Sequence, residues 1–242
     1  MKLKFVTCSG ANEHTNLDEL VAVLASSTKM EAGIQVSGKK ASFGTARYLW
    51  IKALYYKLSQ ERRLVNLALH LNQDWVEAFC SGKVVPELSE FLSWKNVLGE
   101  PFFKRVQLNF RIGREKTPNI DTLVAVMTQY PDVRFILSYN ESNARFIKTL
   151  HGIGCHFDCL FDNSHGEGIT AERYETPVFD DVLQGYSGGI SPENVVSVLD
   201  KISQSVDDER EIFIDAEGKL KDNDGYFCIE SCKKYLQRAL SY

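Results

Sequence analysis

The residues best suited to chemistry form two glycine-containing segments late in the chain, residues 185–194 and 213–218. In the first, Gly188 and Gly189 let backbone N–H groups approach a ligand without an intervening Cβ. Ser191 is placed to cap a following helix, whose first turn would present unpaired N–H groups and a positive dipole end. We therefore expect the two segments to hold an anionic group such as a phosphate.

Two consecutive strand–glycine–helix units near the end of a chain are how a (β/α)8 barrel builds a phosphate site after its seventh and eighth strands. The rest of the chain predicts the six earlier units. Predicted strands lie at 5–8, 33–36, 64–70, 103–108, 133–137, 157–161, near 185, and at 212–214. Predicted helices follow at 16–24, 45–58, 74–80, 119–130, 140–150, from 192, and at 226–240. This alternation demands parallel strands, and eight repeats favour a closed barrel over an open sheet.

The length of 242 residues matches one (β/α)8 barrel of about 250 residues. We expect an α/β fold with a single domain over residues 1–242, in which 83–102 form an elaborated connection. Phe91 and Trp94 in that connection are either a satellite core or the patch of a homodimer. A net charge of −4 gives no general affinity for nucleic acid. The absence of a long apolar stretch excludes a membrane span, and six cysteines without framework spacing favour a reducing cytoplasm.

In such a barrel the reactive side chains stand where the strands end. The candidates at those positions include a thiol, carboxylates, imidazoles and lysines. They are Cys8, Gln35, Lys39, Lys40, His70, Gln107, Asn109, Ser138, Asp162, His165, Ser187 and Asp215. The set contains no metal cluster. Cys155 and Cys159 have no fourth ligand and are interpreted as packing residues.

Several motifs occur in the order found in one enzyme family. The segment from Ser187 to Val195 closely matches Ser-Gly-Gly-Leu-x-Pro-Glu-Asn-Val, and Cys8-Ser9-Gly10 is similar to an opening Cys-Gly motif with one residue more. Weaker matches include Val106 to Asn109, and Leu160 to Asp162. Over its whole length the chain resembles phosphoribosylanthranilate isomerase, the barrel of tryptophan biosynthesis that carries out an Amadori rearrangement.

The resemblance implies an acid/base isomerase that acts on a phosphorylated aminosugar without a cofactor or metal. Cys8 would be the general base and Asp162 the general acid. Seven further residues would bind the small anionic substrate. These are Lys40, Asn109, Ser187, Gly188, Gly189, Asp215 and Gly218.

The chain also departs from the family pattern. Glu217 stands where the family has small or hydroxyl residues for the phosphate, and Asn109 replaces a histidine. The lysine that the family has near its cysteine is also missing, with Val6 or Thr7 in its place. Two alternatives follow: a non-catalytic relative, or an isomerase or aldolase with a different anionic, sugar-like substrate.

Overall fold

A computed structural model describes residues 1–112, 117–162 and 170–242. Its eight strands are all parallel and close into one barrel in the order β1 to β8. The strands are β1 (Lys2–Ser9), β2 (Met30–Val36), β3 (Asn66–Leu71), β4 (Arg105–Leu108), β5 (Arg134–Tyr139), β6 (Asp158–Asp162), β7 (Gln184–Ser187) and β8 (Glu211–Ala216). The predicted (β/α)8 barrel is therefore confirmed.

The helices surround this barrel. They are α1 (Leu17–Leu24), α2 (Gly38–Ala41), α3 (Ala46–Gln60), α4 (Asp74–Cys80), α5 (Pro86–Ser93), α6 (Ile120–Met127), α7 (Ala144–Gly152), α8 (Val195–Ser203) and α9 (Ile229–Leu240). The side chains of Asn16, Thr45 and Asn119 cap α1, α3 and α6 by accepting backbone N–H bonds. Asp74–Cys80 matches the predicted bounds. In contrast, α8 begins about one turn later than predicted, because residues 192–194 form a turn.

Side chains alternate between the barrel lumen and the helix layer, as strand geometry requires. In the lower lumen the side chains of Phe5, Leu160 and Phe213 lie among the strands. The opposite faces of the strands join one large apolar core with the helices. The face on which a residue lies therefore decides whether its side chain can reach the barrel mouth.

A charged residue crosses this apolar lower lumen. The guanidinium of Arg105 lies 4.7 Å from the ring centroid of Phe5 and 4.0 Å from that of Phe213. It donates a 2.8 Å hydrogen bond to Glu31, and its Nη2 lies 3.2 Å from Asp158. Because Arg105, Glu31 and Asp158 are all buried, the guanidinium is needed to balance the charge of the two carboxylates.

The connection at 83–102 is packed against the barrel. It contains α5 and a short antiparallel bridge between Lys95 and Pro101. Phe91 is buried, and the Trp94 ring stacks on Tyr55 at 4.5 Å between centroids. Phe91 therefore belongs to the main apolar core, and the half-buried Trp94 packs against that same core and not in a separate satellite cluster. In the part of the chain that the structure describes, no helix is long and apolar enough to cross a membrane.

Candidate active site at the barrel mouth

Each of the eight strands places one polar side chain on the lumen face within its last two residues. In β5 and β6 the layer below contains Ile136 and Leu160, which face the lumen, so the residues two positions later face it as well. The eight residues are Ser9, Gln35, His70, Gln107, Ser138, Asp162, Ser187 and Asp215. The carboxyl ends of the strands thus form a polar layer above the apolar lower lumen, in the position where barrel enzymes hold their active sites.

Ser9 and Asp215 form a buried, hydrogen-bonded pair in this layer. The Ser9 hydroxyl donates a 2.6 Å hydrogen bond to Asp215 Oδ1. Burial, with the nearby charges of Glu217 and Glu31, raises the pKa of the Asp215 carboxyl to about 7, although the Ser9 hydrogen bond and Arg105 oppose the rise. A carboxyl that changes its charge near neutral pH is suited to accept and return a proton.

Cys8 lies outside the mouth, which corrects the sequence interpretation. Because Thr7 bonds Glu31 and Ser9 bonds Asp215 in the lumen, alternation turns Cys8 toward the helix layer. There the side chain is fully buried and its thiol contacts Cys232 of α9. Burial, together with Cys232 and Asp215, raises the pKa of the Cys8 thiol well above its usual value. A thiol so placed is unsuited to take a proton from a substrate at the barrel mouth.

Asp162 and Ser187 stand side by side at the mouth. They are register partners at the ends of β6 and β7, and both are half-buried. The Ser187 hydroxyl donates a 3.2 Å hydrogen bond to the Phe161 carbonyl. His165, three residues after Asp162 in the sequence, lies outside the described residues.

Gly188 and Gly189 form a tight turn directly after β7. Their φ angles are 98° and 65°, a region that favours glycine. The Gly189 carbonyl accepts hydrogen bonds from the Asn194 amide at 2.9 Å and the Thr170 hydroxyl at 3.1 Å. The Ser191 hydroxyl accepts from the N–H groups of Glu193 and Asn194. The turn is thus held in one orientation, although Ser191 caps the 192–194 turn instead of α8 itself.

Glu217 leans away from this turn. Its Cγ lies 3.7 Å from the position that a Cβ on Gly10 would take, on the β1 side of β8 and away from β7. Its carboxylate lies 3.5 Å from Lys221 Nζ. Gly218, the next residue, is exposed at the start of a short 3-10 helix, Gly218–Leu220. The Glu217 side chain therefore lies toward Gly10, just after β1, and Lys221 partly balances its negative charge.

Two further predicted ligand-binding residues lie at the rim. Lys40 is exposed on α2, the short helix that follows β2. Asn109 accepts a 2.7 Å hydrogen bond from Gln107 and donates one of 2.9 Å to Asn72. The Asn109 amide thus belongs to a side-chain network.

Ser9 is the mouth residue that sequence reasoning missed. The signal was present, because Ser9 and not Cys8 immediately precedes Gly10, as the cysteine does in the Cys-Gly motif.

Within the described ranges, no group of three or more histidine, cysteine or acidic side chains is arranged to hold a metal ion. The described side chains of the polar layer carry carboxyl, hydroxyl, amide and imidazole groups.

A (β/α)8 barrel with a polar mouth is the class that these features define, and several solved structures of similar fold are structures of one enzyme. Phosphoribosylanthranilate isomerase from Thermotoga maritima, described as monomers generated from a dimeric enzyme, is 18% identical over 98% of this chain and 99% of its own, with a TM-score of 0.57. The Thermus thermophilus enzyme is 17% identical over 98% of both chains, with a TM-score of 0.57.

A further structure of this isomerase contains reduced 1-(o-carboxyphenylamino)-1-deoxyribulose 5-phosphate. It is 17% identical, covers 98% of this chain and 99% of its own, and has a TM-score of 0.54. No protein-family model and no curated protein sequence matches the chain. At these identities the similarity shows a shared fold, and the site must supply the argument for function.

Proposed function

We propose that the protein is an acid/base isomerase that acts on a phosphorylated aminosugar of the phosphoribosylanthranilate type. The observation that carries this proposal is the buried Ser9–Asp215 pair at the mouth, two strands away from Asp162. Neighbouring strands lie about 4.8 Å apart, so the backbones of β6 and β8 are separated by about 10 Å. Because both side chains face the lumen, a sugar carbon can lie between the two carboxyl groups.

Asp162 is the proton donor in this proposal. Ring opening of the aminated ribose needs an acid at the ring oxygen, and the opened form is an imine at C1. Asp162 stands at the end of β6, as the resemblance requires, and beside Ser187. It gives its proton to the ring oxygen as the C1–O bond breaks.

Asp215 is the proton acceptor in place of a thiol. After ring opening, its ionised form takes the proton from C2, and the electron pair of that bond forms the enolamine. Return of a proton to C1 with loss of the C2 hydroxyl proton gives the ketone. With a pKa of about 7, the carboxyl is ionised in a large share of molecules at neutral pH. The Ser9 hydroxyl orients it by a hydrogen bond.

The phosphate end of the substrate is assigned to the turn at Gly188 and Gly189, with Ser187 and Gly218 beside it. Phosphates bind where glycines allow close approach to backbone N–H groups, and β7 and β8 end there. The orientation of Glu217 toward Gly10 and Lys221 supports this assignment, since it keeps one carboxylate away from the turn. Lys40 and Asn109 are assigned to the other end of the substrate.

The test is the fluorescence decay of freshly prepared phosphoribosylanthranilate. Wild-type protein should turn it over, and Asp162→Asn and Asp215→Asn should each lower kcat by about 10² to 10⁴-fold. Both variants should melt within a few degrees of wild type. A folded wild-type protein without turnover would refute this substrate, and full activity in either variant would remove the role assigned to that carboxyl.

A further inference from the structure

His70 is the histidine among the eight residues that form the polar layer at the mouth. It is the penultimate residue of β3, where it lies in register with Gln35 of β2 and Gln107 of β4. The side chain is buried, with 2% of its surface exposed. Its Nε2 is also buried and has no hydrogen-bond partner. Buried polar atoms in folded proteins are nearly always paired, so an unpaired ring nitrogen beside a candidate active site indicates a missing partner.

The His70 ring reaches the Ser9–Asp215 pair across Gly33. A Cβ on Gly33 would lie 2.3 Å from Ser9 Oγ and 2.7 Å from His70 Nε2. The hydroxyl and the imidazole therefore converge on the same point, and the hydroxyl is already bonded to Asp215 at 2.6 Å. His70 Nε2 therefore lies near the Ser9 hydroxyl, which bonds the carboxyl of Asp215, the proton acceptor in the proposed reaction.

The imidazole is neutral. Burial, with a contribution from the Arg105 charge, lowers the pKa of His70 to about 3. A neutral imidazole has one nitrogen that donates and one that accepts a hydrogen bond, and it does not become a proton carrier at neutral pH. Such a ring can fix a reacting oxygen by hydrogen bonding, as neutral histidine does in other barrel isomerases.

We propose that His70 Nε2 is the hydrogen-bond contact for the oxygen on the carbon that loses its proton. The inference rests on the proposed function: Asp215 takes the C2 proton, so the oxygen beside it is the C2 hydroxyl. The mouth therefore selects aldose derivatives that carry a C2 hydroxyl and discriminates against 2-deoxy analogues. His70 moves no proton of its own, and its contact places C2 against the Asp215 carboxyl.

The probe is reduced 1-(o-carboxyphenylamino)-1-deoxyribulose 5-phosphate, which carries a C2 hydroxyl and cannot turn over. Its binding to the full chain is measured by calorimetry and by ¹⁵N NMR of the imidazoles, with the His70 resonance assigned from its loss in His70→Gln. The probe should shift the His70 Nε2 resonance. His70→Leu should bind it at least tenfold more weakly, and His70→Gln, which keeps a polar group, should recover part of that loss.

Two ligands that differ only in the C2 hydroxyl measure what that hydroxyl contributes to binding. Wild type should prefer ribose 5-phosphate over 2-deoxyribose 5-phosphate, and His70→Leu should lose that preference. An unshifted His70 resonance in the probe complex, with equal affinity in His70→Leu, would overturn this inference and leave the proposed function standing. Failure of wild type to bind the probe at all would overturn both. The NMR measurement on wild type decides the question even where His70→Leu does not fold.

Discussion

The hydroxyl of Ser9 donates a 2.6 Å hydrogen bond to Asp215, while the thiol of the preceding Cys8 lies on the opposite face of β1 against α9. One step along a strand separates a side chain in the lumen from one in the helix layer. The candidate base is therefore a carboxyl held by a serine, and the neighbouring thiol is part of the core.

Asp215 should set the pH dependence of turnover. Because its ionised form takes the proton, kcat/KM of wild type should rise with pH through about 7. The Ser9 hydrogen bond holds the pKa of Asp215 down, so Ser9→Ala should move the rise to higher pH and keep the high-pH plateau. Ser26→Ala, a hydroxyl at the end of α1, is the matched control. An unchanged profile in Ser9→Ala would contradict the pairing.

Cys8→Ala should retain turnover. Its thiol is buried against Cys232 and does not reach the mouth, so the expected cost is about 1 to 2 kcal/mol of unfolding free energy from the lost packing. Steady-state assays and urea unfolding measure the two effects. Iodoacetamide should leave Cys8 of the native protein unmodified and react with it after unfolding, as read by mass spectrometry. Loss of turnover in a stably folded Cys8→Ala would restore the thiol as the base.

The barrel was predictable from the sequence because its signals are local. Strand and helix alternate along the chain, and Asn16 and Thr45 have the side chains that cap helices. The face of β1 was not predictable in the same way, since Val6, Thr7, Cys8 and Ser9 are all small enough for either side. The choice depends on tertiary contacts, above all the position of Phe5 beside the Arg105 guanidinium.

The chemistry of the mouth is also a tertiary property. The resemblance indicated that Asp215 binds ligand, but its raised pKa results from burial and from the charges of Glu217 and Glu31. Glu217 is two residues from Asp215 in the sequence, but Glu31 comes from β2, and no local pattern shows that it meets Asp215 or that Asp215 is buried. The same holds for His70, whose neutrality follows from burial and from Arg105.

Asp215 and His70 should act in opposite directions on stability below neutral pH. The pKa of Asp215 is raised from 3.8 to about 7. The unfolding free energy that this carboxyl contributes is therefore lost as pH rises between those values. The pKa of His70 is lowered from 6.5 to about 3. The unfolding free energy that this imidazole contributes is therefore lost as pH falls between those values. Each slope amounts to at most about 1.4 kcal/mol per pH unit.

Urea unfolding from pH 4 to 6.5 separates the two contributions. The unfolding free energy of Asp215→Asn relative to wild type should increase as pH rises, and that of His70→Gln should decrease. Parallel curves for wild type and either variant would show that the native pKa of the replaced group is not shifted.

Arg105→Met should destabilise the barrel strongly. The guanidinium balances Glu31 and Asp158, both buried, and its loss leaves Glu31 uncompensated and Asp158 with only the half-exposed Arg134 nearby. Breaking a buried ion pair in this way costs about 3 to 5 kcal/mol. Adding Glu31→Gln should recover part of the loss, as measured by denaturant unfolding. Arg134→Met is the control: its half-exposed side chain lies 3.7 Å from Asp158 and should cost less than about 1 kcal/mol.

Gly33→Ala should damage the mouth more than the fold. The new Cβ would lie 2.3 Å from Ser9 Oγ and 2.7 Å from His70 Nε2, so both side chains must move, and with Ser9 moves the hydroxyl that bonds Asp215. We expect turnover to fall by at least about tenfold, since displacements of about 1 Å at a reacting centre have large effects on rate. Gly152→Ala, where a Cβ meets nothing within 4 Å, is the matched control and should keep full activity. If Gly33→Ala is as active as Gly152→Ala, the convergence of Ser9 and His70 over Gly33 has no part in the reaction.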